Sequence, residues 1–236
     1  MRSDRPVPGE HGAIQHILFD LDNTLLDGDA GFVRLFRELY HTRGQMRSTH
    51  TEEKAIALMV SYDSRHVGGE NRLNGLFSDI MNQWPGVFQD LEEAMQVYLT
   101  TIPRMLILDP PTRNLLEDLQ EKGIPSAIVT NGKAILQANK IHESGLDGLV
   151  QAFVISEELG IAKPDRRIFE RALEQIEASP LTTMFVGDDI EADILGAKGL
   201  GMRTAWMHRG REWPHEGQDP DYVVGHVSEV RDIVFG

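Results

Sequence analysis

Asp20 and Asp22 stand directly behind the apolar run Ile17-Leu18-Phe19, and Asp188, Asp189 and Asp193 stand behind a second run, Met184-Phe185-Val186. Thr130-Asn131-Gly132 closes the run Ile124 to Val129, and Lys163-Pro164 lies in the segment behind Ala152 to Ile155. If these runs are strands of one parallel sheet, carboxylates from two strand ends, a hydroxyl and a lysine converge on one rim. Clustered carboxylates repel one another and are tolerable only when protons or a metal neutralise them. Oxygen donors with no cysteine and no paired histidines select a hard cation, and Mg²⁺ with retained waters fits best. Such an ion beside a lysine makes a site for a phosphate group. Asp20 is then placed to attack phosphorus, splitting one hard step into two. Asp22 is placed to protonate the departing oxygen and later to deprotonate water.

Taken one at a time, these residues have structural readings. An Asp at a strand end serves as a helix N-cap or turn residue, as Asp189 would for a helix from Ile190. Lys163 reads as a solvated side chain, Thr130-Asn131-Gly132 as a turn, and Gly187 as a point of close backbone approach. Their joint occurrence, each behind a successive strand, turns the reading toward chemistry.

The elements that must position them follow from periodicity. Ile14 to Phe19 is too short for a helix and reads as a buried strand. Four helices follow: one with Phe32, Leu35, Phe36 and Leu39 on a face, one with Ala55, Leu58, Met59 and Tyr62, one over Leu73 to Trp84 and one over Leu91 to Thr101. Thr49 and Glu52 are spaced as a capping box for the second. After Asp109-Pro110-Pro111 the chain alternates: a helix ending at Gly123, strand Ile124 to Val129, helix Lys133 to Ser144, strand Ala152 to Ile155, helix Arg166 to Glu177, strand Met184 to Val186, helix Ile190 to Leu200, and a strand around Thr204 to Trp206. Alternation of this kind calls for a parallel sheet with right-handed crossovers, whose ligands bind outside the carboxyl ends of the strands. The expected organisation is a loose leader of residues 1–12, an α/β domain from residues 13–27 and 109–236, and a helical insert of residues 28–108.

Composition narrows the partners. With 23 Lys+Arg against 37 Asp+Glu the formal net charge is −14, so the chain repels phosphate backbones and anionic lipid. Neither nucleic acid nor a membrane surface is an expected partner. The longest aliphatic run, Ala55 to Val60, is far short of the roughly 20 residues that span a bilayer. Met1 to Gly12 lacks the apolar stretch of a secretory signal, and the absence of cysteine excludes disulfides, thiolate zinc sites and thiol nucleophiles. A cytoplasmic enzyme, monomer or dimer, is expected.

Phe19-Asp20-Leu21-Asp22-Asn23-Thr24-Leu25, Val129-Thr130-Asn131-Gly132, Lys163-Pro164 and Gly187-Asp188-Asp189-Ile190-Glu191-Ala192-Asp193 resemble, in order, the four motifs of the haloacid dehalogenase-like (HAD) hydrolase superfamily. The resemblance covers Ile14 to Trp206. It implies a Rossmann-like core with strand order 3-2-1-4-5 and a helical cap inserted after the first motif. It implies Asp20 as nucleophile and metal ligand, and Asp22 as acid/base with its backbone carbonyl on the metal. Thr130 and the Asn131 backbone would hold phosphate, Lys163 would steady nucleophile and phosphate, Asp188 would bind Mg²⁺, and Asp193 would support the metal directly or through water. Position 189 is often Ser, Thr or Asn in the family, so the Asp here leaves open whether Asp189 or Asp193 is the supporting carboxylate.

Dehalogenases of the superfamily lack the acidic residue two places after the nucleophile, so Asp22 points to phosphate chemistry on a small phosphorylated metabolite. The run Val154 to Asp165 is similar to the branch containing pyrimidine 5′-nucleotidases and N-acylneuraminate phosphatases, which suggests a nucleoside 5′-monophosphate. The alternatives are a phosphosugar mutase or other transfer reaction on the same core, and a non-catalytic binding module that keeps the fold. The cap residues Phe32, Phe36, Tyr40, Arg65, His66, Arg72, Phe77 and Trp84 either line a leaving-group pocket or form core, and Trp206, His208, Arg209 and Trp213 are candidates for the site mouth.

Overall fold

The computed structural model describes residues 13–66, 69–214 and 218–236, so the leader expected over residues 1–12 lies outside the described residues. In chain order the elements are β1 (His16–Phe19), α1 (Gly28–Thr42), α2 (Gly44–Arg47), α3 (Glu52–Asp63), α4 (Gly69–Gln83), α5 (Leu91–Met105), α6 (Pro110–Glu121) and β2 (Ser126–Thr130). They continue with α7 (Ala134–Ser144), β3 (Ala152–Ile155), α8 (Ser156–Leu159), α9 (Arg166–Gln175), β4 (Thr183–Gly187), a π-helical turn (Ile190–Leu195), α10 (Gly196–Lys198), β5 (Arg203–Met207), β6 (Tyr222–Val224) and α11 (Val230–Phe235). The chain divides into two compact units, Asp27–Ile107 on one side and the segments flanking it, up to Leu26 and from Leu108 onward, on the other. Among the described residues, no helix is long and apolar enough to cross a membrane.

The flanking segments form a six-stranded sheet of order β3-β2-β1-β4-β5-β6, parallel throughout. This is the expected 3-2-1-4-5 order with one more edge strand, β6, beside β5. β1 lies between β2 and β4, with Leu18 opposite Ala127 on one side and Phe185 on the other. The amphipathic stripe of α9 packs on the sheet: Ile168, Phe169, Ala172 and Leu173 are buried, and Phe169 meets Phe185 edge-on at 5.2 Å between centroids. Because all strands run the same way, their carboxyl ends share one rim, and Asp20, Thr130 and Gly187-Asp188 fall there.

Several boundaries differ from the expectations. β2 starts at Ser126, because Ile124 is spent ending α6. Its N–H bonds to Leu119 O at 2.9 Å and that of Gly123, at φ +66°, to Gln120 O at 3.1 Å, which is a Schellman stop. The segment from Ile190 begins as a wide turn, since Asp193 N and Ile194 N both bond to Asp189 O, at 3.0 and 3.2 Å. The capping box of Thr49 and Glu52 does not form. Thr49 Oγ1 accepts from Trp84 Nε1 at 3.0 Å and Glu52 pairs with Arg37 at 2.9 Å, so both side chains are used in cap-unit tertiary contacts.

The unit Asp27–Ile107 has an aromatic interior. Phe32 stacks on Tyr98 at 5.8 Å, Phe77 meets Phe88 edge-on at 5.8 Å, and Phe36, Phe77 and Trp84 are buried. Arg72 pairs with Asp63 and lies 4.8 Å from the centre of the Phe32 ring, and His66 Nε2 is 3.1 Å from Asp79. Of the alternatives left open for these cap residues, Phe32, Phe36, Phe77 and Trp84 are core, while Tyr40 is half-buried with its hydroxyl on His50 O.

Candidate active site

The turn after β1 is fixed by its own backbone. Leu25 and Leu26 donate to Leu21 O at 3.1 and 3.0 Å, Asn23 donates to Leu26 O at 2.7 Å, and Asn23 takes the left-handed φ of +65° that asparagine tolerates. Leu21, Leu25 and Leu26 are buried and anchor this turn, while Asp20 stays in the ladder through its N–H to Val186 O at 2.9 Å.

Lys163 ties three strand ends together. Its Nζ lies 2.6 Å from Asp20 Oδ1, 2.7 Å from Asp193 Oδ1 and 2.7 Å from Val129 O. Its backbone is held by the Asn131 side chain, whose Nδ2 donates to Lys163 O at 3.0 Å while Oδ1 accepts from Lys163 N at 2.9 Å. Burial alone would lower the Lys163 pKa, but Asp193 and Asp20 outweigh it and raise it, so the ammonium is firmly charged. The side chain of Asn131, expected to serve through its backbone alone, thus sets where the lysine stands.

Asp20, Asp188 and Asp193 each offer a carboxylate oxygen within 4.8 Å of the others. The donor set is all oxygen, which suits a hard divalent cation. Burial, partly offset by Lys163, raises the Asp20 and Asp193 carboxyls above their usual range. Burial and the nearby Asp20 charge raise Asp188 to about 6. Lys163, with Arg211 beside Asp188, leaves three carboxylates short of positive charge, as a cation site requires. Asp189 is outside it: exposed, it caps the following turn by accepting from Ala192 N at 2.8 Å. Asp193, not Asp189, is the carboxylate brought into the cluster, its Oδ2 accepting from Asp189 N at 3.0 Å. Gly187 makes room, since a Cβ there would collide with the Asp193 carboxylate.

Asp188 is braced by residues that the sequence marked only as candidates for the site mouth, or not at all. Trp206 Nε1 and Arg211 donate to its backbone carbonyl at 3.1 and 2.6 Å, and Arg211 also lies 3.3 Å from its Oδ2. Arg209 reaches Asn23 O at 3.4 Å.

The Asp22 side chain lies apart from the acidic cluster. Lys140 Nζ, on α7, is 2.8 Å from both of its oxygens, and Gln137 Nε2 donates to Oδ2 at 2.9 Å. Burial pushes the Asp22 pKa up, but the Lys140 charge and the hydrogen bonds from Lys140 and Gln137 prevail and hold it below the usual value. Gln137 also donates to Thr130 Oγ1 at 2.6 Å. Neither Gln137 nor Lys140 was expected at the site.

A parallel sheet with an aspartate pair behind its central strand, a lysine bound to the first aspartate and two further carboxylates behind the next strand defines a Rossmann-like hydrolase. The chain belongs to the haloacid dehalogenase-like hydrolases, whose family model matches residues 14–201, and it is an enzyme of that family. It is 29% identical over 225 residues to the pyrimidine 5′-nucleotidase YjjG of Escherichia coli, covering 92% of this chain and 96% of that one. It is 33% identical over 239 residues to the glyceraldehyde 3-phosphate phosphatase of Pyrococcus furiosus, covering 94% and 93%. The fold is shared with the HAD-hydrolase YfnB of Bacillus subtilis, crystallised with magnesium, at a TM-score of 0.76 and 23% identity over 95% of this chain and 100% of that one.

Proposed function

We propose that the chain is a Mg²⁺-dependent phosphomonoesterase that works through an aspartyl-phosphate on Asp20. The observation that carries this reading is the environment of Asp20: Lys163 Nζ 2.6 Å from its Oδ1, two more carboxylates within 4.8 Å, and a second aspartate two residues on. An Asp20 oxygen attacks phosphorus and the bond from phosphorus to the substrate's ester oxygen breaks; Asp22, whose pKa Lys140 holds low, takes up a proton from solvent when substrate binds and passes it to that oxygen. Asp22 then takes a proton from water, the water oxygen attacks phosphorus, and the bond to Asp20 breaks to release phosphate. The Thr130 hydroxyl and the Asn131 backbone N–H receive phosphate oxygens, and Lys163 steadies both nucleophile and phosphate. Asp20, Asp188 and Asp193, with the backbone carbonyl of Asp22, are the residues that would hold Mg²⁺, which when bound offsets the cluster's charge and draws charge from the transferring phosphoryl group.

The presence of Asp22 favours phosphate esters over haloacids, because only an alkoxide leaving group needs a proton. A nucleoside 5′-monophosphate is the substrate to test first, supported by the run Val154 to Asp165 and by the nucleotidase relative. Two observations favour a second reading, a triose phosphate: Phe36, Phe77 and Trp84 are buried and not available to stack on a base, and the relative at 33% identity is a glyceraldehyde 3-phosphate phosphatase.

The experiment is a side-by-side assay of phosphate monoesters at saturating Mg²⁺. We expect kcat/KM for a pyrimidine 5′-monophosphate to exceed that for glucose 6-phosphate by more than about tenfold, or ~1.4 kcal/mol. A higher value for glyceraldehyde 3-phosphate selects the second reading. In the same assay Asp20→Asn should lose at least ~10³-fold in kcat, about 4 kcal/mol. Retention of a tenth of the activity would rule out the aspartyl-phosphate.

A further inference from the structure

Two polar side chains of α7 are buried where a helix packed on a sheet ordinarily places apolar ones: Gln137 is 1% exposed and Lys140 6%. Burying an ammonium opposes folding unless it is closely paired, and the pairing here is with Asp22. Three residues apart on one helix, the two side chains are neighbours on one face. Together they reach Asp22 Oδ1 and Oδ2 from Lys140, and Asp22 Oδ2, Thr130 Oγ1 and, at 3.3 Å, Asn131 O from Gln137. The amide orientation is dictated by its surroundings, since an amide oxygen facing the Asp22 carboxylate would be repelled. Thr130 Oγ1 accepts from Gln137, which directs the threonine's own hydroxyl hydrogen elsewhere. The backbone yields to this contact at Gly132, which sits at φ +146° with the Gln137 side chain 3.1 Å from where a Cβ would stand.

We propose that Gln137 and Lys140 are positioning residues for the reaction. Resting on the phosphomonoesterase reading above, this adds that α7 presets the acid/base Asp22 and holds it in register with the phosphate-binding hydroxyl of Thr130. A salt bridge that served only stability would leave the chemistry indifferent to the leaving group. A cradle for Asp22 would not, because an alkoxide needs the proton that Asp22 delivers and a nitrophenolate does not.

The test compares the wild type, Lys140→Gln, Gln137→Met, Asp22→Asn and the double variant Lys140→Gln/Asp22→Asn on an alkyl phosphate and on p-nitrophenyl phosphate. We expect Lys140→Gln to lower kcat on the alkyl ester by about tenfold or more and on the aryl ester several-fold less, and to add less than about twofold once Asp22 is already Asn. Gln137→Met should show the same leaving-group dependence, together with a raised KM on both esters through Thr130, and it carries the test if Lys140→Gln does not fold. Equal losses on both esters, or losses that multiply with that of Asp22→Asn, would overturn the cradle. An Asp22→Asn variant that is itself indifferent to the leaving group would instead overturn the acid/base role on which the cradle rests.

Discussion

Every buried polar or charged side chain among the described residues, from Asp20 and Thr24 to Asp193 and Thr204, belongs to the unit that contains the sheet. The interior of Asp27–Ile107 is instead built from Phe36, Phe77, Trp84 and apolar neighbours. Desolvating Asp20, Asp193 and Lys163 opposes folding, and packed apolar side chains of similar volume are often as stable or more so. The sheet unit thus bears unfavourable burial at the site where Lys163 joins three strand ends, while the insert has a largely apolar interior with one unpartnered carboxylate oxygen, Asp63 Oδ1.

Removing metal should have the largest effect. Because Asp20, Asp188 and Asp193 crowd with one ammonium among them, phosphatase activity should vanish in EDTA and return with Mg²⁺ or Mn²⁺, while Ca²⁺, larger and looser in geometry, should support little turnover. Full activity after exhaustive dialysis against chelator would remove the reason for the buried charges. On the scaffold side, Phe77→Ala should cost the insert about 3–5 kcal/mol. Amide exchange should accelerate over residues 27–107 and stay unchanged in β1 and β4, and a uniform acceleration would show that the two units do not unfold separately.

Arg211→Ala removes a donor from Asp188 without opening a cavity, since the arginine side chain is 45% exposed. Metal affinity, followed as Mn²⁺ binding by calorimetry, should fall by about 10–100-fold with the urea midpoint held. Unchanged affinity would make the brace a surface contact. The smallest effect is expected at Asp165, the N-cap of α9, whose pKa is held to about 2 by hydrogen bonds from the Arg167 side chain and backbone. A depressed folded pKa stabilises above the unfolded value, near 3.8, and that contribution is lost as pH falls through about 2. Asp165→Asn should therefore lower the urea midpoint at pH 5 and by less at pH 3, and a gap that widens toward acid would contradict it.

The sheet and the positions of Asp20, Thr130 and Asp188 were legible because strand ends are local signals and each residue stood behind one. Gln137 and Lys140 were not, because on α7 they read as the solvated face of a helix. Their burial depends on Asp22, more than a hundred residues earlier in the chain. The choice between Asp189 and Asp193 was illegible for a related reason: the wide turn from Ile190 that carries Asp193 into the cluster looks like an ordinary helix in sequence. β6, with three residues at the sheet edge, was too short for any periodicity to register. The Thr49 and Glu52 pattern was a correct local signal overridden by tertiary partners.

Trp206 is 1% exposed, its indole N–H rests on the backbone carbonyl of Asp188, and the Arg211 guanidinium lies 5.6 Å from its ring centre. The emission of an indole follows its hydrogen bond and the charges around it, and here both belong to a proposed cation ligand and its brace. The protein thus carries its own titration dye: the colour of Trp206 fluorescence should report the state of the acidic cluster in the unlabelled enzyme, in the dark interval before any substrate is added.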